Sequence, residues 1–244
     1  LIGKDILTTH AVYWSTILMA LGLPLPKTLF AHGWWTVEGE KMSKSRGNVV
    51  DPNTIVSAIG VDPFRYFLLR EVPFGDDGNF SQEGLLQRYN SDLANDLGNL
   101  VSRTVTLIEK FSGGNVIPPS SPSKEDYMPK HADTLFDKFE EAMNRLWFHV
   151  ALGEVWKFIN QANAYVEQQA PWNLYKTQNE NPQARRQLEN ALYTLAEALR
   201  IIALYLSPFM PSKMKEVEKS LGFSSDYEKI PFEKKRGWGW DFGC

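Results

Sequence analysis

From Ser81 onward the chain keeps a helical period, and this property rules out most folds for its larger part. Leu93, Leu97, Leu100, Thr104, Leu107 and Phe111 recur at steps of three or four residues. That spacing lays side chains along one stripe of a helix and needs another helix to cover it. A loop rich in Gly, Pro and Ser spans 112–123, and a second helical stretch covers about 129–168 with one break. Ala170-Pro171-Trp172 is a stop signal, after which a helix runs from about Gln183 to Leu206 and ends at Ser207-Pro208. A short helix is expected over 211–221, and the tail with Gly237-Trp238-Gly239-Trp240 has no period. The chain therefore reads as mainly α.

The first eighty residues differ. Leu18 to Leu23 is an apolar run ended by Gly22-Leu23-Pro24-Leu25-Pro26, and Leu29 to Val37 is rich in β-formers with a Glu38-Gly39 turn behind it. Asp51-Pro52 and Asp62-Pro63 each pair a capping residue with proline at the first helical position, which predicts short helices near 52–59 and 62–71. A loop, Gly75-Asp76-Asp77-Gly78-Asn79, follows. The opening Leu1-Ile2-Gly3-Lys4-Asp5 has no Met and no signal-peptide pattern, so it is expected to begin in mid-domain.

Charge and cysteine content narrow the function classes. Lys+Arg number 26 against 29 Asp+Glu, a formal net charge of -3. Broad phosphate attraction normally shows as a basic excess, so any nucleic acid must be read by a local patch, by stacking or by hydrogen bonds. The one cysteine, Cys244, makes neither an intrachain disulfide nor a multi-cysteine zinc site, so no metal ligands are expected in this chain. No stretch approaches the length of a membrane span.

The chemistry is concentrated in Lys41-Met42-Ser43-Lys44-Ser45-Arg46-Gly47-Asn48, followed by Val49-Val50-Asp51-Pro52. Three cations among hydroxyls and a glycine form a loop able to close on a polyphosphate. Ammonium groups stabilise negative charge developing on phosphate oxygens, and hydroxyls and backbone N–H groups donate to them. A bare Lys-x-x-Lys would be an ordinary solvated basic run. The whole string, however, resembles the KMSKS signature of class I aminoacyl-tRNA synthetases at all five positions. The resemblance implies that Lys41 and Lys44 stabilise attack of an amino-acid carboxylate on the ATP α-phosphate, with Ser43 donating beside them. Loss of the Lys44 charge would then remove about 3–4 kcal/mol of transition-state stabilisation.

The amino acid is indicated upstream. Gly3-Lys4-Asp5-Ile6, His10 and Tyr13-Trp14 resemble the methionyl-tRNA synthetases, whereas isoleucyl and valyl enzymes tend to carry a Gly-Ser-Asp-Gln type of string. The resemblance implies that Ile6 and His10 line a methionine pocket, that Gly3 and Asp5 hold the adenosine ribose, and that the backbone at Trp35 meets adenine. Lys44 is counted among the ATP contacts as well. Ile6 and His10 are four apart, on one face if helical. By spacing alone they also fit a core isoleucine and a core histidine.

In the helical half, Asn95-Asp96-Leu97-Gly98-Asn99-Leu100-Val101-Ser102-Arg103 and Ala170-Pro171-Trp172 resemble the anticodon-binding domain of the same family. The resemblance implies that Asn99, Arg103 and Trp172 read a CAU anticodon. An amide and a guanidinium can bond base edges, and a rigid indole is a stacking platform. Taken singly, each also fits a solvated helix face or a core tryptophan.

The expected organisation is a remnant of a Rossmann-like catalytic domain over 1–50, a stem-contact connector over 51–80, a helix bundle over 81–222 and an irregular tail over 223–244. The family implies methionine, ATP with Mg²⁺, and tRNA(Met) as partners, in the cytoplasm or an organellar matrix. No HIGH string is present, and a site whose members act as a unit fails without one of them. The chain by itself is therefore expected to be inactive, with residues 1–50 poorly packed or covered by a neighbouring chain. The alternatives left by the residues are another class I synthetase of the subclass, leucyl or cysteinyl, or a non-catalytic tRNA-binding module.

Overall fold

The structure is a computed structural model that describes residues 1–37, 39–43, 45, 47–119, 127–223, 227 and 229–240. Lys44, Arg46, Glu38 and Cys244 lie outside the described residues.

Strand β1 (Ile2–Gly3) pairs in parallel with β2 (Ala31–His32), and between them π-helical turns over Thr9–Trp14 run into α1 (Ser15–Ala20). Gly22, at φ +66°, ends the helix as the Gly-Pro run predicts. A second sheet has the order β4 (Glu40–Lys41), β3 (Trp35–Val37), β5 (Gly78–Phe80), antiparallel then parallel. Strand β5 forms where the sequence suggests only a loop. Its partner lies some forty residues away, and no local pattern encodes that pairing. A Cβ at Gly78 would sit 2.8 Å from Val72 and 3.1 Å from the Trp35 ring, so the glycine is there for the close approach. Among the described residues of 1–50, Gly33 alone is buried.

Helices α2 (Pro52–Ile59) and α3 (Val61–Glu71) form the connector. Asp51 caps α2 through the Asn53 N–H, as expected. Asp62 does not cap its own helix. Gly60, at φ +89°, starts α3, and the Asp62 carboxylate accepts from the Lys213 N–H, 2.7 Å away, at the start of α10 (Pro211–Ser220). The capping chemistry was legible, but its target was not, because that helix arrives from 150 residues downstream. Helix α3 has two working faces. Phe64, Phe67 and Leu68 pack on Trp35, Val37 and Phe80 of the second sheet, while Tyr66 and Leu69 pack into the bundle.

The bundle comprises α4 (Gln82–Arg88), π-helical turns over Tyr89–Gly98, α5 (Asn99–Ser112), α6 (Met128–Asn144), α7 (Phe148–Gln169), α8 (Pro171–Thr177), α9 (Pro182–Leu206) and α10. The break expected in 129–168 falls at Arg145–Trp147, where Leu146 adopts φ +59°. The predicted stripe is covered: Leu97, Leu100 and Thr104 are buried, and Leu93 and Leu107 pack at its margins. Helix α9 is the axis of the domain, with every residue from Ala191 to Leu206 buried.

That burial includes two charges. Arg200 and Glu197 are both 0 % exposed and form a two-pronged ion pair at 2.8 Å per bond. The tail completes their shell: Arg200 donates to the Lys235 and Gly237 carbonyls, and Glu197 accepts from the Gly239 and Trp240 N–H groups at 2.8 and 3.1 Å. The tail thus includes one helical turn, α11 (Phe232–Lys235), and is tied to the centre of the domain. Sequence periodicity cannot reveal this, because the charges bond the tail through its backbone while Trp238, Trp240 and Phe232 dock without a helical period.

Removing one member of such a pair leaves the other buried without a partner. Glu197→Leu is expected to destabilise the chain by about 3–5 kcal/mol in urea unfolding, and the double change Glu197→Leu/Arg200→Met to recover most of that loss.

Candidate functional site

The KMSKS string sits on a pinned hairpin. Strand β4 pairs with β3 in the register Thr36 to Lys41 and Val37 to Glu40, and Gly39 makes the turn at φ +80°. Asn79, at the next strand, accepts from the Gly39 N–H at 2.9 Å and the Thr36 hydroxyl at 3.2 Å. Lys41 therefore belongs to a strand, not to the loop the sequence suggests. Beyond it, Asn48 closes the loop on itself: its Oδ1 accepts from the Ser43 N–H at 2.8 Å and its Nδ2 donates to the Lys41 carbonyl at 3.3 Å. The Ser43 and Ser45 hydroxyls are 2.7 Å apart.

The upstream residues converge near this hairpin. Lys4 donates to both oxygens of Asp77 at 2.6 and 2.7 Å, and Asp77 also accepts from the Trp34 N–H at 2.8 Å. The Trp34 ring has the Lys4 ammonium 4.2 Å and the Lys41 ammonium 4.5 Å from its centroid. A Cβ at Gly33 would fall 2.1 Å from the Asp76 carbonyl oxygen, so the two loops meet backbone to backbone. The Lys4 ammonium, and after it the Trp34 N–H, holds the Asp77 carboxyl below the usual carboxylate range.

Gly3 lies in β1, where a Cβ would stand 2.6 Å from the Asp5 carboxylate. Ile6 is exposed, and the His10 Nδ1 is 3.0 Å from the Ile6 carbonyl, with the His10 ring edge-on to Trp14 at 5.8 Å. Trp35 turns its indole toward Phe67, 6.1 Å away between centroids, while its backbone pairs with Gly78 of β5. The structure thus groups Trp34, Lys4, Lys41 and Asp77 at one point. Of these, Trp34 and Asp77 were not singled out from sequence, and neither were Asn48 and Asn79, which brace the hairpin. An Asn seven residues after Lys41 gives no sign of bracing it until the loop folds back.

On the bundle, Asn99 is exposed at the start of α5, and Arg103 one turn later donates to Glu167 at 2.6 Å. One turn before Glu167 on α7, Asn163 donates to the Asp96 carbonyl at 3.1 Å. These two bonds hold α7 beside the turn carrying Asn99. Helix α7 then ends at Ala170, in the left-handed conformation at φ +41°, and Pro171 starts α8. Trp172 follows at once, half-buried, packed against the main core. Burial, then repulsion from Asp92, pushes the Asp96 carboxyl up.

Two outcomes follow from this geometry. Asn48→Ala is expected to speed amide hydrogen exchange at Ser43 while lowering stability by about 1–2 kcal/mol, the size of the two hydrogen bonds it removes. Because the folded-state value for Asp77 is depressed, its clamp on Lys4 is intact above the ordinary aspartate value of about 3.9 and is lost only as pH falls through the lower folded value. A pH titration of the Asp77 carboxyl carbon by NMR is expected to show its midpoint below that of a free aspartate.

Residues 1–105 match the family described as tRNA synthetases class I (M), and residues 125–235 match the anticodon-binding domain of tRNA ligase. The methionine–tRNA ligase of Caldanaerobacter subterraneus subsp. tengcongensis is 52% identical over 95% of this chain and 36% of its own length. That of Bacillus subtilis is 44% identical over 93% of this chain and 34% of its own. A solved structure, Mycobacterium tuberculosis methionyl-tRNA synthetase in complex with methionyl-adenylate, superposes with a TM-score of 0.87 at 41% identity, covering 92% of this chain and 44% of the other. The chain spans about a third of the length of the curated relatives it matches. A KMSKS hairpin seated on a connector, joined to a helical anticodon-binding domain and matched by these relatives across almost all its residues, places the chain in the methionyl group of the class I tRNA synthetase family.

Proposed function

We propose that this chain serves ATP-dependent activation of methionine and its transfer to tRNA, contributing the KMSKS loop and a face that reads a CAU anticodon. The observation that carries the reading is the presence in one chain of Lys41-Met42-Ser43-Lys44-Ser45, with Lys41 on a braced hairpin, and a helical half that bears Asn99, Arg103 and Trp172. In activation the methionine carboxylate attacks the α-phosphorus of ATP and pyrophosphate departs. Lys41 and Lys44 stabilise the charge that develops on the phosphate oxygens, and Ser43 donates to them. Asp5, beside Gly3, accepts from ribose hydroxyls, the Trp35 backbone meets adenine, and Ile6 and His10 receive the thioether side chain. Transfer then passes the methionyl group to a terminal ribose hydroxyl of the tRNA and releases AMP.

Mg²⁺ belongs to this chemistry as a neutraliser of phosphate charge. Among the described residues no three His, Cys, Asp or Glu side chains gather in one place, so the ion is assigned to the ATP phosphates, a common mode for Mg²⁺. Residues 51–80 act as the stem-contact connector that sets the loop relative to the tRNA acceptor arm. The setting that this activity calls for is the cytoplasm or an organellar matrix. No helix of the described residues is long and apolar enough to cross a membrane. The 244 residues alone, without a HIGH string, are expected to give no methionine-dependent pyrophosphate exchange.

The test is a fluorescence titration of the chain with an anticodon stem-loop carrying CAU against one carrying GAU. CAU is expected to bind selectively. Trp172→Ala should remove about 1–3 kcal/mol of that binding. Asn99→Ala and Arg103→Ala should each weaken it with little change in stability, since the Arg103–Glu167 pair is exposed and worth about 1 kcal/mol or less. Equal affinity for the two loops, from a chain that circular dichroism shows to be folded, would move the assignment to a sister synthetase.

A further inference from the structure

Two ammonium groups share the Trp34 ring, and they are held very differently. Lys4 is fixed by both oxygens of Asp77, which is itself anchored by the Trp34 N–H. Lys41 has no carboxylate within ion-pair distance among the described residues, and its ammonium rests on the ring alone. Its backbone, by contrast, is secured twice, by the pairing with Thr36 and by the Asn48 amide. The side chain is therefore the free part of a fixed residue, and it can swing without the hairpin moving.

We infer that the Trp34 indole is the resting perch of Lys41, and that Asp77 makes the perch selective by fixing Lys4, so that a polyphosphate draws off Lys41 alone. The inference rests on the polyphosphate role proposed above for the loop. An exposed ammonium–indole contact is weaker than a charge-assisted bond to phosphate, so the perch yields when the anion arrives. Until then it keeps the four-carbon stem extended over the ring instead of free in solvent, which leaves less rotamer entropy to lose on binding. Asp77 has a second effect. Two ammoniums at one ring repel each other, and the carboxylate cancels the charge of Lys4, leaving Lys41 able to rest there. Trp34 and Asp77 are positioning residues in this scheme: neither touches the reacting atoms. The backbone bond from Trp34 to Asp77 survives any change of the Trp34 side chain, so ring and clamp can be tested apart.

The 244-residue chain, made with lysine labelled with ¹³C at Cε, reports each lysine separately by NMR and keeps all three N–H donors of each ammonium. Lys4→Arg, Lys41→Arg and Lys44→Arg variants assign the three resonances. Two of them, Lys4 and Lys41, are expected upfield of exposed lysines through the indole ring current, and Trp34→Leu should return both to the exposed position. Inorganic pyrophosphate should move the Lys41 resonance to a new position off the ring and leave Lys4 in place. In Asp77→Asn it should move both. Circular dichroism and Tm equal to those of the unsubstituted chain certify the variants as folded. The inference is overturned if Trp34→Leu leaves the Lys41 resonance unmoved, or if pyrophosphate leaves Lys41 on the ring or displaces Lys4 with it. Should Lys44 respond to pyrophosphate while Lys41 does not, the perch fails and the role of the loop stands. Should neither respond, both fall.

Discussion

The hydrogen bonds that one side of the connector helix Val61–Glu71 sends into the bundle hold the two parts of the chain in register. Asp62 caps the helix at Lys213, Arg65 donates to the carbonyls of Phe209 and Pro208 at 2.9 and 2.8 Å, Tyr66 donates to Asp92, and Arg70 donates to the carbonyl of His149. The helical repeat brings these residues to one side, and most of their partners are backbone groups; the Lys213 N–H, in the first turn of α10, would otherwise lack one. Burial and the Asp92 bond push the Tyr66 phenol far above its ordinary range, so it remains a donor at any physiological pH. The opposite side of the same helix is apolar and carries the sheet beneath the KMSKS hairpin. Orientation is thus set by directional bonds on one face and adhesion by packing on the other.

The centre of the bundle follows a different logic. Helix α9 is buried all round for sixteen residues, from Ala191 to Leu206, so no solvent-facing stripe sets its rotation and close packing must do so. The Glu197–Arg200 pair adds a directional requirement, because each charge meets specific carbonyls or N–H groups of the tail. Burial lowers the tendency of the Arg200 guanidinium to stay charged, but its bonds to Glu197 prevail and its proton is held more tightly than usual. The pair specifies where the tail docks.

Much of this was legible in the residues. The helical stripe at Leu93, Leu97 and Leu100, the stop at Ala170-Pro171, the helix from 183 to 206 and the glycine turns at Gly22 and Gly39 all follow from local rules, since period, capping and positive φ are properties of neighbours in the chain. The KMSKS string was legible as a family signature because its residue types and order are themselves the signal. What stayed hidden has one cause. Strand β5, the cap from Asp62, the bracing by Asn48 and Asn79, and the meeting of Lys4, Lys41 and Asp77 at Trp34 all join residues that are distant in sequence or related only once a loop closes.

The sequence by itself determined which segments become helices, where they stop, and which loop carries the cations suited to a polyphosphate. Only the tertiary structure decided what Lys4 and Lys41 touch. It tied Lys4 to a carboxylate and left Lys41 on an indole, and it set Arg103 against Glu167 at the turn before Trp172. Secondary structure answers to the chemistry of adjacent residues, whereas the environment of a charge is fixed by whichever group the folded chain brings within a few ångströms of it.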